Sequence, residues 1–96
     1  MRYCSQRTVT SANVRIENSD DSVYLRGNTS QTVSIDGSGA GAASPGASFR
    51  LINDSDHDAN FVPGVPQTVS RGALLVVPAH SGVTLELSPT GDWVKV

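Results

Sequence analysis

Asp54, Asp56 and Asp58 alternate along the chain, which is how a calcium-binding loop begins. Such a loop turns on a Gly at its sixth position and completes its oxygen cage with a Glu at its twelfth. Counted from Asp54, those positions hold Ala59 and Val65, so the run reads as a solvated acidic turn. His57 and His80 are the two histidines and Cys4 is the one thiol. None of them stands at the spacing of a zinc-ligand pair. Serines abound, but no Gly-x-Ser-x-Gly elbow presents one as a nucleophile. The glycines from Gly37 to Gly41 lack the Lys and the following helix of a phosphate-binding loop. Asn28-Thr29-Ser30 and Asn53-Asp54-Ser55 match the glycosylation sequon. With no secretory signal visible they read as ordinary turn residues. Cys4 has no internal partner and reads as a small apolar residue or a free thiol rather than an intermolecular bridge. Trp93, the single tryptophan, is expected to close the core rather than to stack on a sugar. The expectation is a non-enzymatic chain with no catalytic, cofactor-binding or metal-binding residues and no cofactor.

Composition narrows the classes further. The chain has 96 residues, 38% apolar and 5% aromatic, which fits one domain with a thin core. Ordering each backbone residue costs roughly 1–2 kcal/mol, and oligomerisation is a common remedy for a small core. A homo-oligomer is therefore expected. The net charge is −2, with seven basic residues scattered along the chain. No basic stripe marks a nucleic-acid partner, and no run reaches the ~18 apolar residues of a membrane span. The start of the chain lacks the apolar stretch of a signal peptide, so the protein is expected to remain where it is made.

The elements that must carry these residues are strands. Apolar positions alternate in short runs separated by Gly, Pro, Asn, Asp and Ser, and no window shows helical spacing. Strands are expected near residues 13–17, 22–26, 31–35, 47–52, 60–62, 67–70, 74–77, 82–87 and 93–96. Pro89-Thr90-Gly91-Asp92 is a turn that folds a C-terminal hairpin over residues 82–96. Residues 1–12 are polar and read as an N-terminal arm, followed by one β domain over residues 13–96. Residues 37–48 are rich in Gly, Ala and Ser. They read as a flexible connection or as a small-residue loop packed on a neighbouring chain.

Two segments resemble each other. Val14-Arg15-Ile16-Glu17-Asn18 parallels Phe49-Arg50-Leu51-Ile52-Asn53, and Gln31-Thr32-Val33-Ser34 recurs as Gln67-Thr68-Val69-Ser70. The offsets are 35 (49 minus 14) and 36 (67 minus 31). Asn18 and Asn53 suit the acidic turns that follow them. The expectation is a duplicated strand-turn-strand unit, over about residues 14–37 and 49–72. Its two copies would bury each other's apolar faces as a small antiparallel β-sandwich or barrel, jelly-roll-like and all-β.

The C-terminal half also resembles a family. Phe49-Arg50-Leu51-Ile52-Asn53, Asn60-Phe61-Val62-Pro63-Gly64, the strand from Leu74 to Pro78, Ser81-Gly82-Val83-Thr84-Leu85 and Gly91-Asp92-Trp93-Val94 are similar to β modules of bacteriophage virion proteins. These modules occur in capsid decoration or cement proteins and in head- and tail-fibre knobs. The resemblance covers about residues 49–96 and carries no catalytic residue. It implies a virion part on the capsid surface, assembled in the bacterial host cytoplasm. The implied partners are further copies of the chain, as a homotrimer, and the major capsid protein. A chain without a fibre shaft fits a decoration protein that stabilises the outer shell. The alternative is a fibre knob binding a host receptor or carbohydrate, which would present Trp93 or Tyr24 beside polar groups.

Overall fold

Val, Ile, Thr and the aromatic residues gather in runs where every second side chain is apolar, and a run of that period forms a strand. In the computed structural model, which describes residues 6–17, 20–70, 72 and 74–96, there are ten strands and no helix among the described residues. In chain order they are β1 (Gln6–Val9), β2 (Asn13–Arg15), β3 (Ser22–Leu25), β4 (Thr32–Ile35), β5 (Ser48–Asn53), β6 (Ala59–Pro63), β7 (Thr68–Val69), β8 (Leu75–Val77), β9 (Ser81–Leu87) and β10 (Asp92–Lys95). Each run picked out by alternation holds a strand, and β9 and β10 form the expected hairpin about Gly91. The positive φ of Gly91, 89°, suits a residue without Cβ.

Two sheets result. The larger is ordered β1-β3-β5-β9-β10-β7 and the smaller β2-β4-β6-β8. Inward residues of both sheets, among them Val23, Leu51 and Leu85 from one and Val33 and Phe61 from the other, join a single buried cluster. The all-β expectation is met as a two-layered, sandwich-like arrangement rather than a barrel. Phe49, Phe61 and Trp93 meet edge to face at its centre, with centroids 5.8, 5.4 and 5.9 Å apart.

Strand direction corrects the antiparallel, jelly-roll-like expectation, because both sheets are mixed. β1, β3 and β5 run parallel, and so do β2, β4 and β6. The chain passes from the larger sheet to the smaller and back. As far as β6, each return lays a strand beside its predecessor in the same direction, as parallel pairing through a crossover requires. Antiparallel pairing begins only where β9 meets β5 and β8 meets β6.

The matched segments of the 35-residue offset lie in opposite sheets. Val14 and Arg15 lie on β2 of the smaller sheet, whereas Phe49–Asn53 belong to β5 of the larger. Likewise Thr32–Ser34 lie on β4 and Thr68 and Val69 on β7, again in different sheets. The spatial step between the second and third coils is 28 residues in both sheets: Ser22 pairs with Arg50 (50 minus 22) and Thr32 with Asn60 (60 minus 32). The N-terminal segment carries a strand as well. Gln6–Val9, within it, is strand β1, paired parallel to β3. Cys4 and Asn18 lie outside the described residues.

The small-residue stretch between β4 and β5 packs on its own chain. Ala43 lies against the core, and a Cβ at Gly37 would sit 1.9 Å from the carbonyl oxygen of Gly64. Two successive crossovers touch there backbone to backbone, which only glycine permits.

Candidate interaction surfaces

The polar side chains singled out by type and spacing do not converge. Asp54 pairs with Arg26 at 2.8 Å, Asp56 with His80 at 2.8 Å, and Asp58 accepts from the amide of Ala79 at 3.1 Å. The three carboxylates of the acidic run thus turn to three different partners. His57 is exposed, and its carbonyl accepts from Asn53 and Ser55. The His80–Asp56 pair stands in solvent, with side chains 62% and 87% exposed. The neighbouring Ser81 hydroxyl donates away from it, to Pro78. A histidine, a carboxylate from a loop 24 residues away and a serine next in the chain are therefore near one another, but the pair stands in solvent.

Several polar groups are turned inward to hold the coils instead. Asn53 is fully buried. Its Nδ2 donates to the carbonyls of His57 and Val77 at 2.7 and 3.0 Å, and its Oδ1 accepts from Ser55 at 2.7 Å. Gln31 is buried where β4 begins. Its Nε2 donates to the carbonyls of Val9 and Ser11, and its Oε1 accepts from the amide of Gly27. Gln67 performs a related service, its Oε1 accepting from Trp93 Nε1 at 3.0 Å. At the first coil, the Arg7 guanidinium donates to the carboxylate of Asp20 and to the carbonyl of Arg15. An inward charge of this kind is one way a protein blunts the end of a sheet.

No protein-family model, no curated protein and no solved structure matches this chain.

Two surface features remain. The first is the outer face of the smaller sheet beside β8. Asn60 pairs with Val76 and Phe61 with Leu75, and one residue beyond that last pair the same register sets Val62 opposite Leu74. Val62, Leu74 and Val76 are 36%, 49% and 47% exposed. They make an apolar strip flanked by a strand that has a neighbour on one side only among the described residues. No charged residue interrupts Leu74–Val77, so the usual protection of an edge strand is missing from this stretch.

The second lies on the outer face of the larger sheet. It is a shallow groove of about 590 Å³ between the ends of β5 and β10, with β9 as its floor. Arg50 stands on this face, and Lys95, paired in register with core residue Leu85, lines the groove's far end. Tyr24 lies on the same sheet face, half-buried, with the Arg26 guanidinium 5.8 Å from its ring centre. Trp93, by contrast, is 1% exposed and belongs to the core.

Sequence reasoning missed the β8 strip, because it is formed by pairing two runs that each alternate unremarkably. It also missed the buried amides. An Asn in an Asp-rich run carries the same local signal whether its side chain meets water or backbone.

Proposed function

We propose that this chain is a non-enzymatic structural protein of a bacteriophage particle. In this reading it is a decoration or cement protein that self-associates, as a homotrimer, and binds the major capsid protein on the outer shell. The observation that carries the reading is the apolar strip of Val62, Leu74 and Val76 beside the exposed edge of β8. An edge strand offers main-chain donors and acceptors to a neighbouring sheet, and apolar side chains next to it add area removed from water. The polar groups weighed as candidates for chemistry are mostly spent on coil-to-coil hydrogen bonds or stand singly in solvent, which leaves adhesion as the property this surface supplies.

The mechanism is mass action. A protein that binds the assembled shell and not its free subunits shifts the equilibrium towards the shell, by about 2.7 kcal/mol at a hundredfold excess over Kd. A head-to-tail contact between unlike surfaces closes into a cyclic oligomer when the rotation permits.

Co-sedimentation with undecorated capsids tests the reading. The expected outcome is saturable binding and a higher temperature of shell disruption. Recovery of all the protein in the supernatant would rule it out. The fibre-knob alternative is favoured by one observation, the half-buried Tyr24 beside Arg26. It loses the other aromatic it called on, because Trp93 is in the core.

A further inference from the structure

The stack of coils is finished differently at its two ends. Beyond β5 and β6 it is closed by β9 and β8, which pair antiparallel to them. At the other end β1 and β2 each have one neighbour among the described residues, β3 and β4. Parallel register sets paired residues on the same face of a sheet, so side chains form columns through successive coils. One inward column is Val9, Leu25 and Asn53, and another is Val14, Val33 and Phe61. A third is Arg7, Val23 and Leu51. Val23 and Leu51 are fully buried. Arg7 is thus an inward charge at a position where the next two coils hold aliphatic side chains.

The guanidinium also crosses the open end. Successive residues of a strand turn their main-chain groups to opposite sides. The carbonyl of Ala12 and the amide of Ile16 bond to β4, so Asn13 and Arg15 turn theirs to the open side. On β1 the carbonyl of Val9 accepts from Arg26, so Thr8 turns outward likewise. Arg7, rooted on β1, donates to that outward carbonyl of Arg15 on β2 at 2.7 Å. It therefore bridges the two sheets and occupies an acceptor that an added strand would use. Asp20, its side chain 4% exposed, holds it there at 2.9 Å and is itself fixed by the Glu17 amide. The arrangement costs stability, because Arg7 Nε is buried without a partner among the described residues. A side chain that served only to fill the end of the core would be aliphatic, like Val23 and Leu51.

We propose that Arg7 is an autoinhibitory cap, which keeps the open end of the coil stack from joining the same end of a second copy. The end offers two edge strands at once, one in each sheet, and a second copy offers the same two at the same separation. A two-fold axis running from one sheet to the other sets β1 beside β1 and β2 beside β2, each pair antiparallel, and extends both sheets across the boundary. Arg7 opposes this joint in two ways. It sets two guanidinium groups against each other where the apolar columns would meet, and it withholds the Arg15 carbonyl from the arriving strand. Inward charges on edge strands and polar outer faces on terminal repeats act in this way in sheet and repeat proteins. The cap lies at the opposite edge of the smaller sheet from β8 and is independent of the virion reading.

The test removes the cap and reads the mass. Arg7→Leu with Asp20→Asn continues the aliphatic column, leaves no buried carboxylate unpaired and keeps an acceptor for the Glu17 amide. The pair of changes is made in the full chain together with Val76→Lys, so that the β8 edge does not contribute. Light scattering is expected to give twice the mass of the Val76→Lys parent. Amide exchange at Thr8, Asn13 and Arg15 should slow at least about tenfold, since their N–H groups become paired. Arg7→Met with Asp20→Asn, whose unbranched side chain adapts to irregular space, should behave in the same way. Arg7→Lys retains the inward charge and should keep the parent's mass and exchange. Parent mass for the apolar variants, folded by circular dichroism, would overturn the proposal, and so would doubling by Arg7→Lys or protection centred away from β1 and β2. Unfolding of both apolar variants would overturn it too, by showing that Arg7 serves stability. Each mass is compared with its own parent, whereas the β8 reading is judged by Val76→Lys against the wild type, so the two fail separately.

Discussion

Asn53 shows how much a single side chain can carry in a domain with so thin a core. Its amide closes the β5–β6 turn through His57 and fastens that turn to the end of β8 through Val77. Replacing it with Ala removes the buried bond to the Val77 carbonyl and the acceptor of the Ser55 hydroxyl, and each buried polar group left unsatisfied costs about 1–3 kcal/mol. Asn53→Ala is therefore expected to lower the unfolding free energy from urea titration by an amount within that range or above it, seen as a lower midpoint with unchanged slope. A loss below 0.5 kcal/mol, the scale of ordinary surface changes, would show that the amide is not a fastening. Asp20 makes a comparable prediction. Its carboxylate accepts from the Glu17 amide at 2.8 Å and from Arg7 at 2.9 Å, so Asp20→Ala should cost about 1.5–3 kcal/mol by the same measurement. The sequence marks Asn53 as a turn residue, which it is. It holds no sign that the side chain points inwards, because that depends on Val77, 24 residues away.

Alternation of apolar residues reports that a segment is a strand and which face it buries. It is silent on direction, because parallel and antiparallel partners bury the same set of side chains. This is why β3, β4, β5 and β6 were legible one by one while their parallel stacking was not. The matched Gln-Thr-Val-Ser segments set β4 against β7, which lie in different sheets. Their shared feature is a leading Gln whose amide group reaches across to a neighbouring strand or loop. Crossover packing makes a prediction at this scale. Gly37→Ala forces a methyl group onto the Gly64 carbonyl, and such overpacking typically costs 1–3 kcal/mol. The equivalent change at Gly82, where only ordinary contacts are met, should leave the melting temperature within a degree or two. Equal effects at the two positions would contradict the packing described between the crossovers.

At the scale of the molecule, two sheets enclose one core and leave two unlike outer faces. The smaller sheet presents an apolar strip at its β8 edge, and the larger a shallow groove above β9. The small share of aromatic residues, 5%, is concentrated where it does most: three of the five rings meet at the centre. That economy leaves little reserve for a monomer and gives self-association a physical motive. The expectation of an oligomer follows from composition. The surface that would mediate it could not be read that way, since Val62 and Leu74 are 12 positions apart in the chain (74 minus 62) and adjoin only through pairing of β6 with β8. Val76→Lys tests this surface with little risk to the fold, because an exposed substitution normally changes stability by less than about 0.5 kcal/mol while placing a charge in the strip.

Multi-angle light scattering of the wild-type chain and of Val76→Lys, over a concentration series, bears most directly on the central claim that the β8 face makes this an associating module. A protomer mass of 10.0 kDa predicts a trimer near three times that value for the wild type and a monomer for the variant, with identical circular dichroism. A wild-type protein that stays monomeric at every concentration, or a variant that assembles as the wild type does, would contradict it.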